Sequence, residues 1–254
     1  MIDVQTTTDL MDSMDQVLTE AVPSGHNRRA LMARAGGLLA AGTALTVPGI
    51  AGAASGGSVL DVLATFETFG VTLLTQATKR APGTPSEQFA NVLMAANTTE
   101  YLHLRALQKI GGKALTTKFW IPDAVLDGGA GFFTAVEAQE EVEISAYLVG
   151  VTHATEKRRA AQARLFAEAL GTEAEHRVLA RFAAATISGN TAAAPNNRGF
   201  EAFKQRSAKS ALNASKALGL GFGEKGSKPG NFYEFSGDPR KNGTGSPVLS
   251  PTPA

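Results

Sequence analysis

The chain has 254 residues and carries 24 lysines and arginines against 23 aspartates and glutamates, which gives a formal charge of +1 at pH 7. No large field of one sign results, so neither nucleic acid nor an anionic membrane surface is indicated as a partner. Because the sequence contains no cysteine, disulfides and thiol chemistry are excluded, and any metal has to be bound through oxygen and nitrogen.

Residues 1–54 are expected to be an export signal and not part of the folded domain. Arg28 and Arg29 precede an uncharged stretch rich in Ala, Gly and Leu at residues 35–47, and small residues follow at 51–53. The stretch is too short and too weakly apolar for a membrane-spanning helix, which needs about 20 residues. A basic segment, an apolar segment and small residues in this order are typical of a cleaved signal. We expect cleavage after Ala53 and no stable membrane span afterwards.

The basic part of this segment resembles the twin-arginine export motif. Residues 27–32 contain two arginines, a free position and two apolar residues, although Asn27 stands where Ser or Thr is usual. The resemblance implies an exported protein, periplasmic or extracellular, that crosses the membrane already folded, as cofactor-containing proteins often do. An ordinary secretory signal with adjacent arginines is the alternative.

Helical periodicity extends over residues 58–187, and no window alternates strictly enough to predict a strand. Four long helices are predicted, at residues 58–79, from a cap at Ser86 to Gly111 and Gly112, at 132–155 and at 157–187. Short links favour two antiparallel pairs, whereas the link of about 20 residues at 111–131 is long enough to cross a 30 Å helix. The predicted fold class is therefore all-α: a four-helix bundle over residues 55–190 with one long crossover, which is the connectivity of ferritin-like bundles.

The end of the chain differs in composition from the bundle. Residues 191–220 are expected to hold an extra C-terminal helix from about Phe200 to Leu218, packed on the outside of the bundle through Phe200, Phe203 and Ala211. From residue 221 to 254 the sequence is rich in Gly, Pro, Ser and Lys and poor in apolar residues, which predicts a mobile tail.

Each predicted helix carries at least one carboxylate on its apolar face, since residues three, four and seven apart share a face. The inward positions are Glu67 on the first helix, Glu100 and His103 on the second, Glu140 on the third, and Glu173 and His176 on the fourth. Buried carboxylates are costly, so several facing one core need protons, cationic partners or metal ions. No lysine or arginine lies near them on these faces, which favours metal.

One Glu from each of two helices and a Glu-x-x-His pair from each of the other two form the ligand set of ferritin-like di-iron and di-manganese proteins. Carboxylate oxygens and imidazole suit iron, with manganese as the alternative. Two ions about 3.5–4 Å apart would let bridging carboxylates share charge that one ion could not neutralise. We therefore expect two metal ions as cofactors and no catalytic residues beyond their ligands.

Residues 60–185 resemble the ferritin-like superfamily, and most closely its exported bacterial branch related to plant desiccation-related proteins. The resemblance rests on the Glu-x-x-His pairs at 100–103 and 173–176 and on the segment at 140–147. It implies that Glu100 and Glu173 bridge the two metals and that each histidine binds one of them.

The same resemblance makes Glu67 and Glu140 terminal ligands. Glu143 lies on nearly the same face as Glu140 and is an alternate or additional ligand. Tyr147 stands at a Glu-x6-Tyr spacing found in rubrerythrin-like helices and is expected beside the ligands. The plainer alternatives are core histidines with hydrogen-bond partners, a half-buried Glu67 with a local partner, a solvated charge run over residues 137–143, and a Tyr147 that only packs.

Two functions are compatible with these features. The first is an exported di-iron carboxylate protein that reacts with oxygen or peroxide, as an oxidase, ferroxidase or peroxide scavenger, in stress protection. The second is a non-catalytic bundle, with a structural metal or none, that protects envelope components during drying. Metal ions and oxygen or peroxide are the expected partners, and the oligomeric state stays open, with a dimer as one option.

Overall fold

The computed structural model describes residues 57–194, 199–248 and 252–253, and the predicted export signal at 1–54 lies outside them. The described part is mostly helical, with a small three-stranded sheet. Its α-helices are α1 (Val59–Arg80), α2 (Ala90–Lys109), α3 (Ala130–Glu156), α4 (Ala160–Ser188) and α5 (Ala208–Ala217). The four long helices predicted from the sequence are present, each within a few residues of its expected ends. None of these helices combines the length and the apolar composition that a membrane crossing requires.

Local capping determines where the long helices begin and end. Ser58 caps α1, because its hydroxyl accepts a hydrogen bond from the Asp61 amide at 3.1 Å while the Asp61 carboxylate accepts from the Ser58 amide at 3.2 Å. α2 follows a 3₁₀ turn at Pro85–Phe89 whose cap is Thr84, so the predicted cap at Ser86 is wrong. α4 ends at Gly189, which takes the left-handed conformation that closes a helix.

Short links at residues 81–89 and 157–159 join α1 to α2 and α3 to α4, and the helices of each pair pack against each other. α1 also contacts α3, and α2 contacts α4. The buried apolar residues divide into two clusters. The first includes Phe69, Leu73, Leu93, Phe132, Phe133 and Ala180, and the second includes Leu63, Phe66, Leu104, Val142, Phe166 and Ala169. On all four long helices, therefore, the middle positions lie between two apolar regions.

The long link between α2 and α3 contains a strand that the sequence did not predict. β1 (Lys118–Pro122) pairs antiparallel with β2 (Gly221–Phe222) on one side and with β3 (Gly230–Glu234) on the other. Periodicity failed here because β1 is buried on both faces and so shows no alternation. Its partners also lie about a hundred residues further along the chain.

The packing of β2 and β3 differs from the expected mobile tail. Thr244 is also buried, since the Asn97 side chain on α2 donates to the Thr244 carbonyl at 2.9 Å and to the Thr75 hydroxyl of α1 at 3.1 Å. Much of this segment is held by backbone and polar hydrogen bonds, which a count of apolar residues does not detect. Residues 249–251 and 254 lie outside the described part of the chain.

The extra C-terminal helix is shorter than expected. α5 begins after Ser207, which forms a capping box with Ser210, so residues 200–206 are not helical. Ala211 is buried as predicted, but Phe200 is 93% exposed, and the expectation that it packs on the bundle is wrong.

The Asn97 contacts predict that the end of the chain contributes to stability. We expect Asn97→Ala to lower the free energy of unfolding by about 1–2 kcal/mol, because the Thr75 hydroxyl and the Thr244 carbonyl lose a buried donor. Urea unfolding measures this, with Asn91→Ala on the exposed face of α2 as the matched control. Equal stability of the two variants would contradict this role of Asn97.

Candidate metal centre

Five glutamates and two histidines converge at the middle of the four long helices. All six ligands predicted from the sequence are among them, and Glu143 is the seventh. The residues are Glu67 on α1, Glu100 and His103 on α2, Glu140 and Glu143 on α3, and Glu173 and His176 on α4. The five glutamates and His176 are buried, and the His103 side chain keeps 13% exposure. The prediction from helical periodicity that these side chains face the interior is therefore confirmed.

Both histidines face the carboxylate of Glu173. His103 Nδ1 lies 2.7 Å from Glu173 Oε1 and 3.5 Å from Glu67 Oε2, although the shorter contact is not aligned as a hydrogen bond. His176 Nδ1 lies 3.0 Å from Glu173 Oε2 and 3.0 Å from Glu100 Oε1. Glu173 therefore occupies the centre of the cluster, with one imidazole beside each of its oxygens.

Three overlapping groups place their potential ligand atoms within 4.8 Å of one another. One is Glu100, Glu140, Glu173 and His176; another is Glu67, His103 and Glu173; the third is Glu67, Glu100, Glu143 and Glu173. Glu173 belongs to all three groups, and Glu67 and Glu100 each belong to two. Sharing of this kind is what bridging carboxylates require, and the individual ligand roles stay predictions.

The sequence left Glu140 and Glu143 as competitors, and the structure buries both. One turn apart on α3, they share a face because a helix repeats every 3.6 residues. Glu140 lies on the side of His176, with 3.9 Å between Glu140 Oε1 and His176 Nδ1, and Glu143 joins the group that contains Glu67 and Glu100.

Unpaired oxygens show what these residues could bind. One oxygen of each glutamate is buried without a hydrogen-bond partner: Glu67 Oε2, Glu100 Oε2, Glu140 Oε2, Glu143 Oε2 and Glu173 Oε1. Within the described residues, none of these carboxylates makes an ion pair with a lysine or an arginine. Buried polar atoms are normally paired. Five carboxylate oxygens that accept no hydrogen bond, together with two imidazoles, form a set of ligands that fits hard divalent ions.

Burial raises the pKa of the Glu67, Glu140 and Glu143 carboxyls well above their usual value, and the neighbouring carboxylates of Glu100 and Glu173 raise it further. Burial also opposes ionisation of Glu173, but His103 and His176 hold its pKa well below the usual value. In the metal-free cluster, ionisation is therefore favoured at Glu173 and opposed at Glu67, Glu140 and Glu143.

The pKa values of the two histidines are also raised in this cluster. Burial favours their neutral forms, yet hydrogen bonds to Glu100 and Glu173 raise the pKa of His176 to about 10. The charge and proximity of Glu173 likewise outweigh burial and raise the pKa of His103. Imidazole binds metal as a neutral ligand and carboxylate as an anion, so metal uptake at this site has to release protons.

Two side chains outside the predicted ligand set donate hydrogen bonds to the carboxylates. The Tyr147 hydroxyl donates a short hydrogen bond to Glu67 Oε1, and burial together with the Glu67 charge raises the pKa of Tyr147 well above its usual value, so it stays a donor. Gln139 Nε2 donates to Glu143 Oε1 at 2.8 Å. Tyr147 was predicted from the sequence to lie beside the ligands, whereas Gln139 was not, although its spacing of four residues from Glu143 was an available signal.

Gly70 makes room for the Glu100 carboxylate. A side-chain carbon added at Gly70 would lie 2.8 Å from Glu100 Cδ, closer than real contacts allow. The sequence did not predict this role of Gly70, because a close approach between two helices leaves no trace in local periodicity.

Comparison with protein-family models, curated proteins and solved structures gives no match for this chain.

The close approach at Gly70 predicts opposite effects for two glycine substitutions. Gly70→Ala should lower the free energy of unfolding by about 1–2 kcal/mol, because overpacking against buried Glu100 outweighs the gain in helix propensity. Gly171→Ala on α4, where nothing lies within 4 Å, should raise it by roughly 0.5–1 kcal/mol. Urea unfolding of the metal-free proteins measures both. Stabilisation by both substitutions would show that Glu100 does not need the space.

Proposed function

We propose that residues 55–190 form a ferritin-like four-helix bundle that holds two metal ions, iron in preference to manganese, and that the protein acts in oxygen, peroxide or iron chemistry. The observation that carries this proposal is the convergence of five buried glutamates and two histidines from four helices, with one oxygen on each glutamate that accepts no hydrogen bond.

The arrangement of the helices supports a ferritin-like bundle. Two helical pairs with short internal links are joined by one long link, and contacts between α1 and α3 and between α2 and α4 enclose the cluster. This is the connectivity of bundles with one long crossover, in which side chains on facing helices build the metal site.

Charge balance supports two ions in preference to one. Five ionised carboxylates carry five negative charges, and the two imidazoles are neutral when they bind metal. One divalent ion would leave three of these charges unbalanced, whereas two would leave one. The one remaining negative charge would lie on Glu143, because Gln139 already donates a hydrogen bond to this carboxylate.

The three overlapping groups of potential ligand atoms suggest which residues would hold each ion. His103 and Glu67 would hold one ion, His176 and Glu140 the other, and Glu100 and Glu173 would lie between them. Tyr147 would fix the orientation of Glu67. A bound iron pair would supply the electrons for reduction of oxygen or peroxide, while the two apolar clusters would exclude water from the centre.

Export and stress protection complete the proposal. They rest on the twin-arginine-like segment and on the resemblance to desiccation-related proteins, and export of an already folded protein is compatible with a cofactor assembled before transport.

A non-catalytic protective bundle is the second candidate. The raised pKa values of Glu67, Glu140 and His176 favour it, because protons on these groups could balance the cluster without any metal. Such a protein would protect envelope components during drying through its fold alone.

Metal content distinguishes the two candidates. We expect the full chain, purified without chelator, to hold two iron or manganese ions per molecule by elemental analysis. Glu173→Ala should lose most of this metal, because Glu173 belongs to all three ligand groups. Glu175→Ala, an exposed acid on the same helix, should keep it. Equal metal content in the two variants, or none in the unaltered protein, would contradict the di-metal centre.

Activity and thermal stability give a further test. The iron-loaded protein should consume peroxide or oxygen, and Glu100→Ala should reduce this rate by at least about a hundredfold because a shared ligand is lost. Added iron(II) should also raise the melting temperature, since it binds only the folded state. A melting temperature that iron leaves unchanged, with no turnover, would favour the protective bundle.

A further inference from the structure

One end of the four long helices carries an excess of positive charge, and we call it the basic end. Three segments meet there: the start of α1 at residues 57–61, the end of α2 with the link that follows at 105–115, and the end of α3 with its turn at 153–159. The second apolar cluster shows that they share this end, because it brings Val59, Leu107 and Ala154 together. The opposite end is marked by Ser86, whose hydroxyl donates a hydrogen bond to the Gly128 carbonyl at 2.7 Å just before α3 begins.

The three segments contain six lysines and arginines and two acids, Asp61 and Glu156. All six basic residues are exposed: Arg105, Lys109, Lys113, Lys157, Arg158 and Arg159. At the opposite end, residues 76–89 and 123–131 contain two basic residues and three acids. The formal charge of +1 over the whole chain conceals this difference, because five acids lie buried in the candidate metal centre and add nothing to the surface.

The turn after α3 places an arginine where glycine would fit better. Arg158 directly follows the C-cap residue Lys157, and its φ of 58° is the only positive value of a non-glycine residue among the described residues. Glycine closes helices in this left-handed conformation at no steric cost, whereas a side chain is strained there. Strain of this kind is concentrated at functional positions. The exposed charge of Arg158 is therefore held at the end of the turn at a conformational cost.

Two apolar side chains are exposed at the same end, on the link after α2. Ile110 is 40% exposed and Leu115 is 46% exposed, with Lys113 between them in the sequence. The Leu115 side chain lies beside Gly57 at the start of the described chain. Exposed apolar residues among basic ones suit an anionic bilayer, because the apolar groups enter the headgroup region while lysine and arginine attract the lipid phosphates. A nucleic acid would use the charges but leave both apolar side chains in water.

We propose that the basic end binds the surface of an anionic lipid bilayer. The six basic residues supply the attraction and the two apolar side chains supply the contact, so binding is peripheral and weakens as salt increases. The charge balance of the whole sequence did not indicate this partner. Neither a metal ion nor any of its predicted ligands is needed, so the inference is independent of the proposed function.

Vesicle binding of the full chain tests the role of charge. We expect binding to phosphatidylcholine vesicles that contain about one third phosphatidylglycerol, and at least about tenfold weaker binding to phosphatidylcholine alone. The combined variant Lys157→Gln, Arg158→Gln and Arg159→Gln should weaken binding about a hundredfold, at about fivefold for each charge near the surface. Lys109→Gln together with Lys113→Gln, on the other helical pair, should weaken it about twentyfold, so the test does not depend on one turn.

The matched control removes three charges away from the basic end. Lys79→Gln, Lys228→Gln and Lys241→Gln together alter three exposed lysines outside the three segments. This variant should weaken vesicle binding less than about threefold, because its charges lie more than a Debye length from the bound surface. Equal binding of this control and the combined variant at residues 157–159 would overturn the proposal.

Fluorescent labels at the two ends test the orientation of the bound protein. Because the chain contains no cysteine, Gln108→Cys at the basic end and Gln88→Cys at the opposite end each create a single labelling position, and both residues are exposed. Nitroxide-bearing lipid in the anionic vesicles should quench the label at position 108 and spare the label at position 88. Equal quenching at both positions would contradict the assigned orientation and overturn the proposal.

Apolar substitutions distinguish a bilayer from other anionic partners. Ile110→Ser together with Leu115→Ser leaves the net charge unchanged and should weaken vesicle binding about tenfold, because apolar contact is lost. Binding to double-stranded DNA depends on the phosphate charges and should not respond to this variant. Tight binding to DNA without binding to anionic vesicles would overturn the proposal and assign the basic end to nucleic acid.

Discussion

The cost of unpaired negative charge in a dry interior governs the centre of this molecule. Five carboxylates belong to three overlapping groups whose potential ligand atoms lie within 4.8 Å of one another, and burial raises the pKa of Glu67, Glu140 and Glu143 well above its usual value. Glu173 stays an anion because an imidazole lies beside each of its oxygens. The remaining negative charge must be balanced either by protons on the surrounding acids or by cations bound among them. The buried cluster is stable only if one of these is present.

The apolar clusters on either side create this situation. Along α1, Phe66 and Phe69 belong to different clusters, and Glu67 lies between them. The other three long helices follow the same order, with the ligand positions between apolar residues above and below. Such flanking residues keep water from screening the charges, so every neighbouring group matters more. Gly70 leaves space for the Glu100 side chain, and Tyr147 restrains Glu67 through a hydrogen bond.

Much of this arrangement was readable from the sequence because helical geometry is local. The helical face on which a residue lies follows from its spacing to its neighbours in the sequence. The burial of Glu100, Glu140 and Glu173 could therefore be inferred from the sequence alone. Contacts between distant segments could not. β1 pairs with strands a hundred residues away, and Thr244 reaches Asn97 through polar contacts that composition does not reveal. Glu143 stayed ambiguous because two acids one turn apart look equivalent until their partners on other helices are known.

Anomalous X-ray diffraction from a crystal of the iron-loaded protein tests the central claim most directly. If cations balance the buried charge, two anomalous peaks about 3.5–4 Å apart will lie between the helices, with Glu100 and Glu173 contacting both. The absence of peaks among these seven residues, in a crystal that carries iron only at its surface, would contradict the account and leave protons as the balancing charge.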